Sequence, residues 1–338
     1  MKSSVTIKNV AEYAKVAIST VSRVINNKDR VSPNTRKKIF EAIEALGYVR
    51  NNFAAAIKTG STRFIITMVP DIINEFYTAV ICGVESIASE KGYYTLVYTT
   101  NDLHSKELDV FIGELNHIVD GVILIPSSAN SELYKNINKP IVLIDRDVIG
   151  SEMYSVCIDN YRGASLLIDE LIQNGHSKIA IITGPRDFNV GIDRLRGYVD
   201  MLSQNFIPLK EEYMLFGNWY QEDGYRLTNK LLELEDSPTA IFAANNLLCI
   251  GCVECLIDHG LTIGKDISLV GFDDSLIARY LGPGITGIRR ATNEMGQIGA
   301  EMLLSILSNH QDMILQKKVT LDVEMIKRNS VVNIKDSA

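Results

Sequence analysis

The sequence predicts a small all-α N-terminal head joined by a short helix to a two-lobed α/β body built on two parallel sheets. Three observations lead there. The first sixty residues carry eleven Lys/Arg against four Asp/Glu, a charge of +7, whereas the remainder carries 23 against 37, a charge of −14. The same first segment has the apolar spacing of short amphipathic helices. From Arg63 onward, short apolar runs alternate with amphipathic stretches in two successive series, the pattern of βαβ units.

Composition narrows the class. A chain of 338 residues is longer than one ordinary core requires and suits a small module plus a lobed body. Hydrophobic content of 46% with 22% charged residues is that of a globular protein. No apolar run approaches the roughly eighteen residues of a membrane helix. The N-terminus MKSSVTIKNVAEYAKV lacks a signal-peptide core, so a cytoplasmic location without membrane partners is expected. A basic head draws phosphate while an acidic body is repelled by it, which orients such a molecule on a polyanion; a merely solvated basic surface is the plainer alternative.

In the head, Thr6 caps an apolar pattern at Ile7, Val10 and Ala14, and a second helix covers roughly Ser19 to Asn26. The third is best marked. Ser32 is its N-cap, Pro33 its first residue, Ile39, Ile43 and Leu46 one face, and Gly47 its stop. The stretch VRNNFAAAIKTGST favours a helix over Phe53–Lys58 that is too short to be stable alone, hence a conditional element. The first body series reads FIITMV, a helix to Lys91, TLVYTT, a helix, GVILIP, a helix and PIVLID. The second reads a helix from near Tyr161 to Asn174, KIAIITG, a helix, MLFG, a helix, TAIFAA, a helix and ISLVGFDD. Ligands in such sheets bind beyond the carboxyl ends of the strands.

Cys249, Cys252 and Cys255 form a C-x-x-C-x-x-C run, but no fourth ligand stands at metal spacing and the run lies in an apolar helical pattern. We therefore expect buried thiols, neither a metal site nor disulfides.

The stretch TIKNVAEYAKVAISTVSRVINNKDRVSPNTRKKIFEAIEALGY resembles the N-terminal signature of the LacI/GalR family of bacterial transcriptional regulators. The likeness continues through NNFAAAIKTGST, VDGVILIP, IVLIDR, NGHSKIAIITGP, IFAANN, ISLVGFDD and VEMIKRNS, in order over nearly the whole chain. It implies a helix-turn-helix head at 1–47 and a hinge helix or linker at 48–61. It also implies a periplasmic-binding-protein-like body, with lobes at 62–160 plus 291–320 and 161–290 plus 321–338.

The family's function follows as an expectation: a repressor, not an enzyme, that binds a pseudo-palindromic operator in double-stranded DNA as a homodimer. A recognition helix presents short polar or cationic side chains to base edges at its N-terminal turns. By resemblance Ile18 and Ser19 read bases with Ser22 beside them, Arg23 reads a guanine, and Thr6, Thr20 and Asn26 hold phosphates. Asn51, Ala54 and Ile57 face the minor groove, Ile57 as its apolar wedge. Val10, Val21 and Val24 are core. The turn departs from the family: Lys15-Val16-Ala17 replaces the usual Gly-Val-Ser. That removes a Ser N-cap worth about 1 kcal/mol and sets Lys where φ is expected to be positive, unless Ser19 caps a shortened helix. Arg50 replaces a usual Pro.

The family's effector touches both lobes. The candidates are Asp71, Asn74, Phe76 and Tyr77 on the first lobe and Arg194, Trp219, Asn245 and Asp273 on the second. An Arg facing an Asp grips adjacent hydroxyls while an aromatic plate covers a sugar ring, so a sugar or polyol is expected and no cofactor is needed. A plain Arg194–Asp273 pair, a purine-like ligand and a protein partner are the alternatives. Glu75 and Asn246 stand where the family usually has Pro and Asp. A solute-binding protein has no use for the basic head, and no phosphate loop, nucleophile elbow or H-E-x-x-H motif supports an enzyme.

Overall fold

The computed structural model describes residues 5–25, 31–48, 61–148, 150–310 and 316–335. The conditional helix over 53–58, and with it Asn51, Ala54 and Ile57, lies outside the described residues, as do Asn26 and Arg50. The chain divides into two compact units, Met1–Thr62 and Arg63–Ala338.

The first unit has helices α1 (Ile7–Ala14), α2 (Ile18–Ile25) and α3 (Pro33–Leu46) around a core of Val10, Ala11, Val21, Val24, Ile39 and Ala42. At the start of α1 the Thr6 N–H and hydroxyl both donate to Asn9 Oδ1, at 2.9 and 2.7 Å, closing the first turn through a side chain. That helix ends at Lys15, whose φ of +53° is left-handed, the strained conformation foreseen for this position. At the start of α2, Thr20 and Val21 N–H donate to the Ala17 carbonyl, and Ala17 has no hydroxyl to accept another. Ser19 sits inside α2 and does not cap a shortened helix. α3 keeps both stops, with Ser32 Oγ accepting from Thr35 N–H at 3.2 Å and Gly47 left-handed at φ +60°.

The second unit contains two six-stranded sheets. Strands β1 (Phe64–Val69), β2 (Tyr94–Thr99), β3 (Gly121–Leu124), β4 (Ile141–Ile144) and β5 (Tyr154–Ile158) belong to the first. Strands β6 (Ile179–Thr183), β7 (Met214–Phe216), β8 (Ala240–Ala243), β9 (Ser268–Gly271) and β10 (Thr286–Arg290) belong to the second. The late strand β11 (Lys318–Leu321) joins β5 in the first sheet, and β12 (Val323–Ile326) joins β10 in the second. All pairs are parallel except β10 with β12. β3, β4, β8 and β9 are buried throughout, which explains their unbroken apolar sequences.

Helix α4 (Glu75–Glu90) and the helix over Thr292–Leu307 pack on the first sheet so closely that a Cβ at Gly83 would lie 2.0 Å from the Asn293 carbonyl oxygen. The helix over Asn160–Gln173 packs on the second, with Gly163 against Phe272. The chain thus passes between the sheets after Ile158, after Arg290 and after Leu321. The sequence reading misses β5, β10, β11 and β12. After β3 it expects a helix where only a 3-10 turn, Ser131–Leu133, is present; that segment has too few apolar positions to hold a longer helix against the sheet.

Candidate functional site

In the head, α2 turns Val21 and Val24 into the core and leaves Ile18, Ser19 and Arg23 exposed, with Thr20 and Ser22 half-buried beside them. With α-helical spacing these side chains form one polar and cationic face of the first two turns. Ile18 is 48% exposed, an apolar group without a core role in this unit. Thr6 is exposed at the start of α1, its hydroxyl committed to Asn9.

In the body, the carboxyl ends of β1, β4, β6, β8 and β9 converge on a cavity. Seven of the eight expected effector residues line it: Asn74, Phe76 and Tyr77 from the first lobe, and Arg194, Trp219, Asn245 and Asp273 from the second. Asp71 does not. Its Oδ1 accepts from Ile73 and Asn74 N–H, both at 2.8 Å, and shapes the loop that presents Asn74. Asn74 and Asn245 each cap a helix while facing the cavity, Asn74 through Phe76 N–H at 3.1 Å and Asn245 through Leu248 N–H at 2.8 Å.

Five further residues complete the lining: Asp145, Arg146, Val190, Asn246 and Arg290. Arg146 follows β4 and binds both carboxylate oxygens of Asp102, with Nη1 also donating to the Pro126 carbonyl at 3.1 Å. Burial works against this guanidinium, yet Tyr77 and Asp102 hold its pKa above the ordinary arginine value. Burial likewise pushes the Tyr77 phenol up, so it remains neutral, and its oxygen accepts from Arg146 Nη2 at 3.5 Å.

Arg194 and Asp273 both line the cavity without forming the plain ion pair that was the alternative to ligand binding. Arg194 Nε donates to Asn160 Oδ1 at 2.8 Å and Nη1 to the Ala244 carbonyl at 2.5 Å, while its guanidinium stacks 3.5 Å from the Phe272 ring centroid. With no carboxylate bonded to it, burial, and next the charge of Arg290, lower its pKa to about 10; it stays cationic at neutral pH. Asp273 instead pairs with Arg290, Nη2 to Oδ1 at 2.5 Å, and its Oδ2 accepts from Asn246 N–H at 3.0 Å. Arg290 also donates to Asp145 Oδ1 at 2.9 Å and lies 3.8 Å over the Phe76 ring. The Trp219 indole covers Gly184, where a Cβ would come within 2.2 Å of the ring, and its backbone carbonyl accepts from Asn245.

Arg146 and Arg290 stand at the carboxyl ends of β4 and β10, where ligand-facing residues gather, and neither was among the expected residues; the run PIVLID, read as a strand, was the signal that could have found the former, whereas β10 had to be recognised before the latter. Cys249, Cys252 and Cys255 are buried in the helix over Asn246–Asp258, and among the described residues no group of His, Cys, Asp or Glu is arranged to hold a metal. Burial raises the Cys252 thiol to about 12 and the Cys255 thiol to about 11, inert at neutral pH. No helix among the described residues is long and apolar enough to cross a membrane.

A three-helix head with an exposed polar helix face, followed by two parallel sheets facing across a polar cleft, defines a ligand-responsive DNA-binding protein. Comparison narrows the class. The family described as bacterial regulatory proteins, lacI family, matches residues 6–51, and the periplasmic binding protein-like domain matches residues 168–331. The chain is 30% identical over 309 residues to catabolite control protein A of Priestia megaterium, covering 90% of this chain and 93% of that one. The structure of the lac repressor dimer bound to operator and the anti-inducer ONPF superposes with a TM-score of 0.84 at 25% identity, covering 97% and 99% of the two chains. A complex of the transcriptional regulator CelR with cellobiose superposes with a TM-score of 0.72 at 28% identity, covering 96% and 99%. The chain belongs to the lacI family and is a DNA-binding transcriptional regulator, not an enzyme.

Proposed function

We propose that this regulator is a cytoplasmic repressor that binds a pseudo-palindromic operator as a homodimer and is switched by a sugar or polyol held between its lobes. In the head, Ile18, Ser19, Ser22 and Arg23 read bases and Thr6, Thr20 and Asn26 hold phosphates; in the hinge at 48–61, Asn51, Ala54 and Ile57 meet the minor groove. The lobes are 62–160 with 291–320 and 161–290 with 321–338.

The observation that carries the effector assignment is the convergence of seven side chains, far apart in sequence and drawn from both lobes, on one cavity. A ligand touching both lobes favours one inter-lobe arrangement over another and so biases the dimer. The lining suits a polyol: carboxylates and guanidiniums for hydroxyls, and Trp219 and Phe76 as flat apolar faces. The relatives support the reading, one structure being an operator-bound dimer and another a cellobiose complex.

The test is a thermal-shift screen of the full chain against sugars, polyols and nucleobases, followed by operator binding with each hit. A ligand at a hundred times its Kd raises stability by about 2.7 kcal/mol. A sugar hit lost in Arg194→Met and changing operator affinity is the expected result; stabilisation by nucleobases alone sinks the polyol assignment.

A further inference from the structure

The cavity lined by the predicted effector residues has a free volume of only about 40 Å³. A water needs about 10–15 Å³ of such space, so it takes about three waters, far below the roughly 300 Å³ at which ligand pockets begin. A second cavity of about 320 Å³ lies beside it, and Phe76, Asn246, Asp273 and Arg290 line both. These four residues are the partition, and Arg290 is its charged centre. Its guanidinium donates to Asp145 of the first lobe at 2.9 Å, pairs with Asp273 of the second at 2.5 Å, and stacks at 3.8 Å on Phe76 of the first.

Asn189 of the second lobe also accepts from Asp147 N–H at 2.8 Å and donates to the Asp145 carbonyl at 3.2 Å, and two further ties cross between the lobes beside Arg290. Asn246 Nδ2 donates to Asn74 Oδ1 at 2.9 Å, and both Glu75 carboxylate oxygens accept from Leu276 N–H, at 2.9 and 3.2 Å. Glu75 supplies the acceptor for Leu276, and the Asn74–Asn246 pair is reciprocal, Asn74 Nδ2 reaching Asn246 Oδ1 at 3.4 Å.

We propose that Arg290 is a built-in plug and latch: it occupies the ligand's place and, with Asn74–Asn246 and Glu75–Leu276, holds the lobes closed with no ligand present. The inference rests on the effector reading of this cleft. To enter, an effector displaces the guanidinium and satisfies Asp145 and Asp273 with its own donors, a requirement hydroxyl groups meet and a carboxylate does not. Removing Arg290 does more than cut a tie, because it leaves two carboxylates from opposite lobes facing one another in a buried place. Separation of the lobes then rehydrates both charges.

The experiment measures an inter-lobe distance in the ligand-free full chain by pulsed electron paramagnetic resonance. Spin labels go on Ser105→Cys in the first lobe and Glu222→Cys in the second, both exposed sites, with the exposed Cys82 replaced by Ser and the buried thiols left in place. The parent is expected to give one narrow, short distance. Arg290→Met is expected to lengthen and broaden it. Asp145→Asn, which leaves Arg290 its Asp273 partner and therefore folds without an orphaned charge, moves part of the population the same way. Lengthening in either variant supports the latch. A ligand-free parent that is already broad and open, or two variants that both keep the parent distribution, overturns it. Such a failure leaves the effector reading standing, since ligand binding, not ligand-free closure, decides that.

Discussion

Lys15→Gly in the turn between α1 and α2 is expected to stabilise the head. Lys15 sits at φ +53°, and an L-residue held in the left-handed region costs about 1–2 kcal/mol. Glycine relieves that cost but has more unfolded-state entropy to lose, which offsets about 0.5–1 kcal/mol. The net gain is about 0.5–1 kcal/mol, and no ion pair of Lys15 among the described residues is sacrificed for it. Hydrogen exchange in the full chain reads this locally. Amides of Val10, Val21 and Ile39, whose side chains are the head's core, should exchange about 2–5-fold more slowly, while those of Ile181 and Leu269 in the second sheet stay as they were. Ala17→Ser restores an N-cap worth about 1 kcal/mol and slows the same amides. DNA binding separates stability from contact: if Lys15 touches a phosphate, Lys15→Gly lowers the logarithmic salt slope by about 0.9. Unchanged or faster exchange in Lys15→Gly refutes the account of strain in this turn.

Arg23→Ala should weaken operator binding by about 1–3 kcal/mol and relax preference at one base pair per half-site, measured on single-base operator variants. Gly184→Ala puts a methyl group where the Trp219 indole lies, so the plate must move; effector affinity in calorimetry should fall while operator binding without effector is retained. His176 accepts or donates through both ring nitrogens, to Thr239 Oγ1, the Val332 carbonyl and Ser268 Oγ, and burial lowers its pKa below 6.5. The unfolded chain therefore binds more protons just below pH 6.5, so this contribution to stability is complete above that value and declines as the pH falls; urea unfolding of His176→Gln should show a flatter acid limb. Of five thiols, the exposed Cys82 should react rapidly with a thiol reagent in the native protein, and the buried Cys157, Cys249, Cys252 and Cys255 only after unfolding.

Much of the cleft was legible because strand ends announce themselves. Runs such as IFAANN and ISLVGFDD end at buried strands whose next residues must face the opposite lobe, which places Asn245 and Asp273 without coordinates. The head was equally plain, since caps and stops act over three or four residues and Ser32, Pro33 and Gly47 are each read locally. Apart from β5, which pairs with the nearby β4, what escaped was non-local. β10, β11 and β12 are short, and β11 and β12 pair with strands more than thirty residues away in sequence, so no nearby periodicity marks them. Arg290 was missed along with its strand, and Asp71 was misplaced because a side chain that accepts from its own loop and one that faces a ligand look alike in sequence.

Charge distribution, capping residues and apolar periodicity, all properties of neighbouring residues, were enough to determine the basic helical head and the two βα series, and the ordered motifs carried the likeness to the family. Tertiary structure alone decided which charges meet: Asp273 with Arg290 and Arg194 with neutral oxygens. The physical reason is that partner choice inside a cleft depends on where two sheets bring their strand ends in space, and Coulomb attraction at about 3 Å is indifferent to whether the partners are 17 or 145 residues apart.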